Sequence, residues 1–322
     1  MRLIAINFHY VRENFEAPYP SIFGVTPKEF EEQIDAICQA ASVVGSSDLL
    51  RALEGRQTLP DPAALVTFDD GLREQFDHAW PILKRKGIPA LFFVNTGCIV
   101  DGVVENVHKA HILRSQVSPA SILADLDRFL EKMGRGVDVV CPQQVAAQYP
   151  YDRSDAAAVK YALNMRLTSD QLTTFLGEAM HAVPDFDEQA TSRSLYMSTE
   201  QLQELDAAES LGSHAHQHVP LGRQAPPSLE YQIRESRRLL ALWGCPNVFG
   251  ISYPHGSFEA CSALCGQMAV RQGFRFGLTM ERAVNVDLEN PMFLARISNS
   301  DLVGRSVTEV LQNLPKSTWH RV

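Results

Sequence analysis

The chain lacks a long apolar segment. No run of apolar residues approaches the roughly 18 residues that a membrane-spanning helix needs, and the apolar run near residue 1 is too short for a signal peptide. Residues 3–9 (Leu-Ile-Ala-Ile-Asn-Phe-His) are instead typical of a first strand. The sequence therefore predicts a cytoplasmic protein with no membrane insertion.

A surplus of positive charge and a disulfide framework are also missing. The 38 Asp and Glu residues outnumber 29 Lys and Arg residues, and a net charge of −9 argues against nucleic acid as a partner. The six cysteines show no framework spacing, and Cys261 and Cys265 have no companion ligands, so packing is their expected role. A hydrophobic fraction of 45% and a charged fraction of 21% are ordinary for a globular protein.

Two adjacent carboxylates follow an apolar strand. Residues 65–71 read Leu-Val-Thr-Phe-Asp-Asp-Gly, a run typical of a buried strand in an α/β sheet. Successive side chains on a strand point to opposite faces, but at a strand end that turns through Gly71, Asp69 and Asp70 can both reach one cavity. One carboxylate can then bind a metal while the other transfers a proton. The alternative is that an Asp caps the following helix.

Three of the ten histidines lie in one short segment, residues 212–218 (Gly-Ser-His-Ala-His-Gln-His). An extended segment would place His214, His216 and His218 on one face, whereas a helical turn would pair His214 with His218 and turn His216 away. Such a cluster indicates metal binding. Together with the acidic pair, it predicts a site of one carboxylate and two imidazoles with room for water.

Strand and helix patterns alternate along most of the chain. Predicted strands cover residues 3–9, 64–68, 90–95, 247–252, 274–279 and 293–297, with another leading into the histidines. Predicted helices cover residues 27–42, 72–86, 198–208, 228–243 and 257–272. This alternation predicts a parallel sheet with helices outside it, either open or closed into a barrel.

The motifs resemble those of the polysaccharide deacetylase family, carbohydrate esterase family 4. The resemblance rests on residues 67–71 (Thr-Phe-Asp-Asp-Gly), Ser213-His214 with His218, residues 251–256 (Ile-Ser-Tyr-Pro-His-Gly) and residues 294–297 (Leu-Ala-Arg-Ile). It implies an incomplete (β/α)7 barrel, in which the active site lies at the C-terminal ends of the strands. The barrel is expected to comprise residues 1–98 and 196–322.

Residues 99–195 interrupt the alternation. Helical patterns cover residues 119–133, 156–165 and 170–182. We interpret the segment as a helical insertion placed to cover the active-site mouth. A dimerisation element is the alternative.

The resemblance also implies roles for single residues. Asp69 is implied as the general base, and Asp70, His214 and His218 as ligands of a divalent metal, usually Zn²⁺. The backbone N–H of His255, after the proline of the third motif, is implied to stabilise the oxyanion.

Two further side chains are predicted to line the substrate site. Tyr253 and His9 each follow a predicted strand, at the barrel end where function is expected.

Two positions depart from the family pattern. Ser252 stands where the third motif usually has an arginine, and the last motif lacks its frequent histidine. Arg296 offers a cation that can pair a carboxylate through two bonds, so we predict a direct contact between Arg296 and Asp69. The alternative is that Arg296 lies at the barrel rim and binds solvent or a substrate phosphate. The leaving amine can take its proton from His255, His216 or His9, or it can take the proton that Asp69 accepted from water.

The sequence thus predicts a metal-dependent hydrolase that removes an N-acyl group, typically acetyl, from a sugar or glycoconjugate intermediate. A deformylase or other small-amide hydrolase on the same site is the second enzymatic hypothesis. A pseudoenzyme that keeps the metal and binds sugar without turnover is the third. The expected partner is a small-molecule sugar substrate, and homo-oligomerisation stays open.

Overall fold

Short runs of apolar and β-branched residues form the strands of this structure, a computed structural model that describes residues 1–134, 142–148 and 153–319. The strands are β1 (Leu3–Phe8), β2 (Tyr10–Val11), β3 (Gly24–Val25), β4 (Ser42–Val43), β5 (Ala63–Phe68), β6 (Leu91–Val94), β7 (Leu211–Ser213), β8 (Gly250–Ser252), β9 (Phe276–Leu278) and β10 (Arg296–Ser298). Every residue of β1 and β5 is buried, as expected for parallel strands that are covered on both faces.

The main sheet is parallel and nearly closed. Seven strands follow the order β10-β1-β5-β6-β7-β8-β9, and β4 also pairs with β5. Leu278 of β9 bridges to Leu294, which lies just before β10, so the two ends of this order meet. The predicted incomplete (β/α)7 barrel is therefore confirmed. Strands β2 and β3 form a separate two-stranded sheet.

Side chains of β1 alternate between two environments. Its even-numbered residues pack in a cluster with helix residues such as Phe30, whereas Leu3 and Ala5 pack in a second cluster inside the barrel. The next odd position is Asn7, which pairs in register with Thr67 on β5. Alternation therefore places both polar side chains at the C-terminal end of the barrel interior.

Two glycines allow large rings into the barrel. A Cβ on Gly212 would lie 2.3 Å from the ring of Phe93, and one on Gly250 would lie 2.4 Å from the ring of Phe276. Because both distances are far below van der Waals contact, glycine is required there for these rings to fill the interior.

The helices in the described chain are α1 (Pro27–Ala40), α2 (Ser46–Leu53), α3 (Trp80–Lys86), α4 (Gly97–Asp101), α5 (Asn106–Gln116), α6 (Pro119–Lys132), α7 (Pro142–Gln148), α8 (Ser154–Tyr161), α9 (Ser169–Ala179), α10 (Glu188–Leu195), α11 (Thr199–Ala207), α12 (Pro226–Leu242), α13 (Ala263–Arg271) and α14 (Val307–Asn313). Helix α1 begins with the capping box that Thr26 and Glu29 predict. Helix α13 begins later than predicted, because residues 257–260 form a turn in which the N–H of Ala260 donates to the carbonyl of Ser257 at 2.9 Å. None of the helices in the described ranges is both long and apolar enough to span a membrane.

The chain divides into two units. One comprises Met1–Glu13, Gly24–Val103 and Ser192–Val322, and the other comprises Asn14–Phe23 and Val104–Thr191. The second unit has its own apolar core, in which Phe129 and Phe175 pack edge to face. Residues 14–23 belong to this second unit, although the sequence analysis assigned them to the barrel. The N–H of Tyr19 donates to the carbonyl of Ser115 at 3.0 Å and so ties this segment to the unit.

Candidate metal centre and active site

Three potential metal ligands converge beyond the C-terminal ends of the strands. Nε2 of His214 and Nε2 of His218 each lie 3.5 Å from Oδ1 of Asp70. All three ligand atoms lie within 4.8 Å of one another. Two ligands bound to one tetrahedral zinc ion are about 3.3–3.5 Å apart. The donor set and its spacing therefore fit a divalent metal ion.

Neighbouring strands orient His214. Its Nδ1 lies 2.7 Å from the carbonyl oxygen of Ser252 in β8, so Nδ1–H donates there and Nε2 keeps its lone pair for a cation. The N–H of His214 donates to the carbonyl of Val94 at 2.8 Å, and the side-chain amide of Asn95 donates to the carbonyl of His214. Both the ring and the backbone of this residue are therefore fixed.

Left-handed backbone conformations mark the loops that carry the site. Asp70, Ala215 and His255 have φ angles of 78°, 64° and 63°, which non-glycine residues rarely adopt. They are three of the five non-glycine residues with positive φ in the described chain. Each such residue costs on the order of 1–3 kcal/mol, and such residues cluster at functional sites.

The turn at Ala215 separates the three histidines. His216 is buried and points away, with its Nδ1 3.0 Å from Oγ1 of Thr96 and its ring against Tyr231. Burial lowers the pKa of His216 below its ordinary value. Of the two arrangements that the spacing allowed, the structure has the one that pairs His214 with His218.

The predicted contact between Asp69 and Arg296 is present. Nη1 of Arg296 donates to Oδ1 of Asp69 at 2.9 Å, and Nη2 donates to Oδ2 at 2.6 Å. Both side chains are buried, and Arg296 has no exposed surface. A guanidinium with no exposed surface does not bind a substrate phosphate at the barrel rim.

The pair keeps Asp69 ionised. Burial raises the pKa of Asp69, but the adjacent guanidinium of Arg296 outweighs burial. The net result is a pKa of about 2. At neutral pH this carboxylate is therefore a charged acceptor of hydrogen bonds.

A buried polar cradle surrounds the guanidinium. Nη1 of Arg296 donates to Oδ1 of Asn7 at 3.0 Å and to Oγ1 of Thr67 at 3.3 Å. Nη2 donates to Oγ of Ser252 at 2.8 Å, and Nε donates to the carbonyl of Thr279 at 3.2 Å. Sequence reasoning missed Asn7 and Thr67 as parts of the site. The sequence does mark both positions, because Asn7 in β1 and Thr67 in β5 are single polar residues near the ends of otherwise apolar strands.

Gln75 fixes the backbone beside the acidic pair, and sequence reasoning missed it as well. Its Nε2 donates to the carbonyl of Asp69 at 2.6 Å and to the carbonyl of His9 at 2.9 Å. Gln75 is fully buried in a π-helical turn, residues Gln75–Ala79, that precedes α3. It therefore joins the ends of two adjacent strands directly behind the left-handed residue Asp70.

The imidazole of His255 lies beside the candidate ligands. Its ring centroid is 4.6 Å from that of His218, and the residue is exposed. Desolvation by neighbouring protein atoms lowers the pKa of His255 below its ordinary value. The structure thus brings together Asp69, Asp70, His214, His218, His255 and Arg296.

The two predicted substrate contacts have different positions. Tyr253 has no exposed surface and stacks on Phe293 in the core, with ring centroids 5.7 Å apart. Because a fully buried ring does not meet a sugar, we no longer assign Tyr253 to substrate binding. His9 is half-buried, with its Nε2 3.5 Å from Nδ2 of Asn7, and stays a candidate.

Comparison with known proteins finds one matching family. The sequence model for polysaccharide deacetylases matches residues 56–168, which include the acidic pair but not His214 or His218. No curated protein gives a match.

Several solved deacetylases have a similar fold. IcaB from Ammonifex degensii is 19% identical, with a TM-score of 0.58 and 97% coverage of both chains. The Streptococcus pyogenes deacetylase PplD is 15% identical, with a TM-score of 0.57 over 95% of this chain and 98% of that one. The BpsB deacetylase domain from Bordetella bronchiseptica is 16% identical, with a TM-score of 0.51 over 92% and 95%. At these identities the similarity shows a shared fold.

Removing either histidine of the candidate metal centre should abolish metal binding. We expect His214→Ala and His218→Ala to lose more zinc affinity than the ~10–100-fold typical of an outer-shell change. Elemental analysis and zinc titration measure this, with circular dichroism to confirm folding. His216→Ala is the matched control and should keep the ion. Full occupancy in both ligand variants, or loss of zinc in His216→Ala alone, would contradict the assignment.

The low pKa of Asp69 predicts a specific loss of stability in acid. The ionised carboxylate stabilises the folded state above its ordinary pKa of 3.8, and this contribution disappears as the pH falls toward about 2. The difference corresponds to about 2 kcal/mol of unfolding free energy. Urea unfolding of the metal-free protein should show that wild type loses this much more than Asp69→Asn between about pH 4 and pH 2. Parallel losses in the two proteins would rule out the contribution.

Proposed function

We propose that the chain is a metal-dependent amide hydrolase of the polysaccharide deacetylase family, whose sequence model matches residues 56–168, and that it removes an N-acetyl group from a sugar or glycoconjugate intermediate. One observation carries the proposal. Asp70, beside two histidines, and Asp69, paired with Arg296, are consecutive residues at one barrel end. Sites for a cation and for an ionised base are therefore adjacent, as attack of water on an amide requires.

Asp70, His214 and His218 are the proposed ligands. When bound there, a divalent ion polarises the amide carbonyl and acidifies water. Zn²⁺ is the proposed ion, because two imidazoles and one carboxylate are a common donor set of catalytic zinc sites.

Asp69 is the proposed general base. Its carboxylate accepts a proton from the water that attacks the amide carbon. Arg296 keeps this carboxylate ionised and holds both of its oxygens in a fixed plane. Since Arg296 is fully buried, its proposed role is to position the base.

His255 has two proposed roles. Its backbone N–H stabilises the negative charge that develops on the former carbonyl oxygen. Its ring protonates the leaving amine, because it is exposed next to His218, whereas His216 points away.

The family model supports the proposed sugar substrate, and a structural neighbour supports the proposed acetyl group. The structure of PplD is a complex with acetate, the acid that N-deacetylation releases. Formyl and other small acyl groups stay as alternatives for the same site, as does sugar binding without turnover. The cytoplasmic location also stays a prediction, and it favours nucleotide-linked or lipid-linked sugars over finished polymer.

Hydrolysis can be tested together with the division of labour in the acidic pair. Acetate and formate release from a panel of nucleotide-linked N-acyl sugars should depend on zinc and disappear with a chelator. Asp69→Asn should keep zinc but lose on the order of 10²–10⁴-fold in turnover, as expected for a general base. Asp70→Asn should lose both zinc and turnover. Equal metal loss in the two variants would mean that the roles are shared or exchanged, and formate without acetate would identify a deformylase.

Lysine at position 296 should not replace arginine. An ammonium cannot make the two parallel bonds that hold Asp69, so Arg296→Lys should lower kcat with little change in KM. Steady-state kinetics on the substrate identified above measure this, and zinc content serves as the control. Unchanged kcat with a raised KM would assign Arg296 to substrate binding instead.

A further inference from the structure

Asn7 contacts both members of the central ion pair. Its Nδ2 donates to Oδ2 of Asp69 at 3.0 Å, and its Oδ1 accepts from Nη1 of Arg296 at 3.0 Å. The residue is fully buried on β1, a strand that is otherwise apolar. From these contacts we infer that Asn7 is a positioning residue that selects Oδ1 of Asp69 as the oxygen that accepts the proton.

The surroundings fix which way the amide of Asn7 faces. Oδ1 accepts from Oγ1 of Thr67 at 3.1 Å as well as from Arg296. A flipped amide would turn its NH₂ group toward the guanidinium of Arg296, which offers only donors. The N–H groups of Asn7 therefore face Asp69 and, at 3.5 Å, Nε2 of His9.

This orientation makes the two oxygens of Asp69 unequal. Oδ2 accepts from both Arg296 and Asn7, at 2.6 Å and 3.0 Å. Oδ1 accepts from Arg296 at 2.9 Å. Each carboxylate oxygen has two lone pairs, so the two bonds occupy Oδ2, while Oδ1 keeps a lone pair for water. Asn7 thereby directs proton transfer to one atom and resists rotation of the carboxylate.

The inference rests on the proposed function, in which Asp69 is the base. A purely structural role for Asn7 would instead affect folding or metal binding. Ser252 provides the matched comparison, because its hydroxyl accepts from Nη2 of Arg296 at 2.8 Å. Ser252→Ala and Asn7→Ala each remove one acceptor from the guanidinium, but only the change at Asn7 also removes a donor from Asp69.

The experiment compares Asn7→Ala, Asn7→Leu, Ser252→Ala and Asp69→Asn in the zinc-loaded enzyme. The substrate is the N-acyl sugar that releases most acetate in the panel described above. We expect both changes at Asn7 to lower kcat on the order of 10–100-fold, as loss of a hydrogen bond to a charged group does, with KM nearly unchanged. Asn7→Leu keeps a similar side-chain volume and removes both bonds of the amide, so a loss as large as that in Asn7→Ala assigns the effect to the amide and not to a cavity. Ser252→Ala should lose less.

Two readouts do not depend on turnover. Zinc affinity should be the same in wild type and in both Asn7 variants, and a crystal structure of Asn7→Ala should show a rotated Asp69 carboxylate. The inference would be overturned by equal kcat losses in Asn7→Ala and Ser252→Ala or by a change confined to KM. Reduced zinc affinity or unfolding of both Asn7 variants would overturn it as well. Full activity in Asp69→Asn would instead overturn the proposed function.

Discussion

The buried ion pair between Asp69 and Arg296 is the interaction on which the site depends. Burying two charges costs several kcal/mol per ion unless geometry and hydrogen bonding are good. Both conditions are met, because the pair is bidentate and the remaining N–H groups of Arg296 find acceptors on four other residues: Asn7, Thr67, Ser252 and Thr279. A network that is satisfied throughout is rigid, whereas one missing partner would leave a costly buried charge.

Rigidity at the ion pair allows strain next to it. Asp70 has a left-handed backbone, yet the preceding carbonyl is held by Gln75 and the preceding carboxylate by Arg296. Asp69 and Asp70 therefore face different partners, and neither side chain takes the place of the other. The division between a charged base and a potential metal ligand follows from backbone geometry, because both residues have the same side chain.

Much of this architecture could be predicted from local sequence. The apolar run 63–68 predicts a buried strand, and the acidic pair and spaced histidines predict a metal centre. The contact of Arg296 with Asp69 was predicted because Ser252 stands where the resembled motif has an arginine, so the carboxylate needs a cation from elsewhere in the chain.

Other features depended on information that no local pattern carries. One Asn in an apolar strand has no periodicity, so the importance of Asn7 appears only once β10 lies beside β1. The orientation of Tyr253 depends on which strand face is interior, and the turn of His216 depends on φ at Ala215. Helix α5 was missed because its apolar residues do not form a clear stripe.

The pairing of the first strand with the last affects how this chain folds while it is being synthesised. Ala5 of β1 lies in register with Arg296, so residues near opposite ends of the chain complete one polar cluster. While the chain is being made, Asp69 has no guanidinium partner until residue 296 leaves the ribosome. Loops this long close slowly, because chain entropy is lost before any contact forms. Barrel closure and assembly of this ion pair are thus one late event, and incomplete chains do not contain the assembled pair.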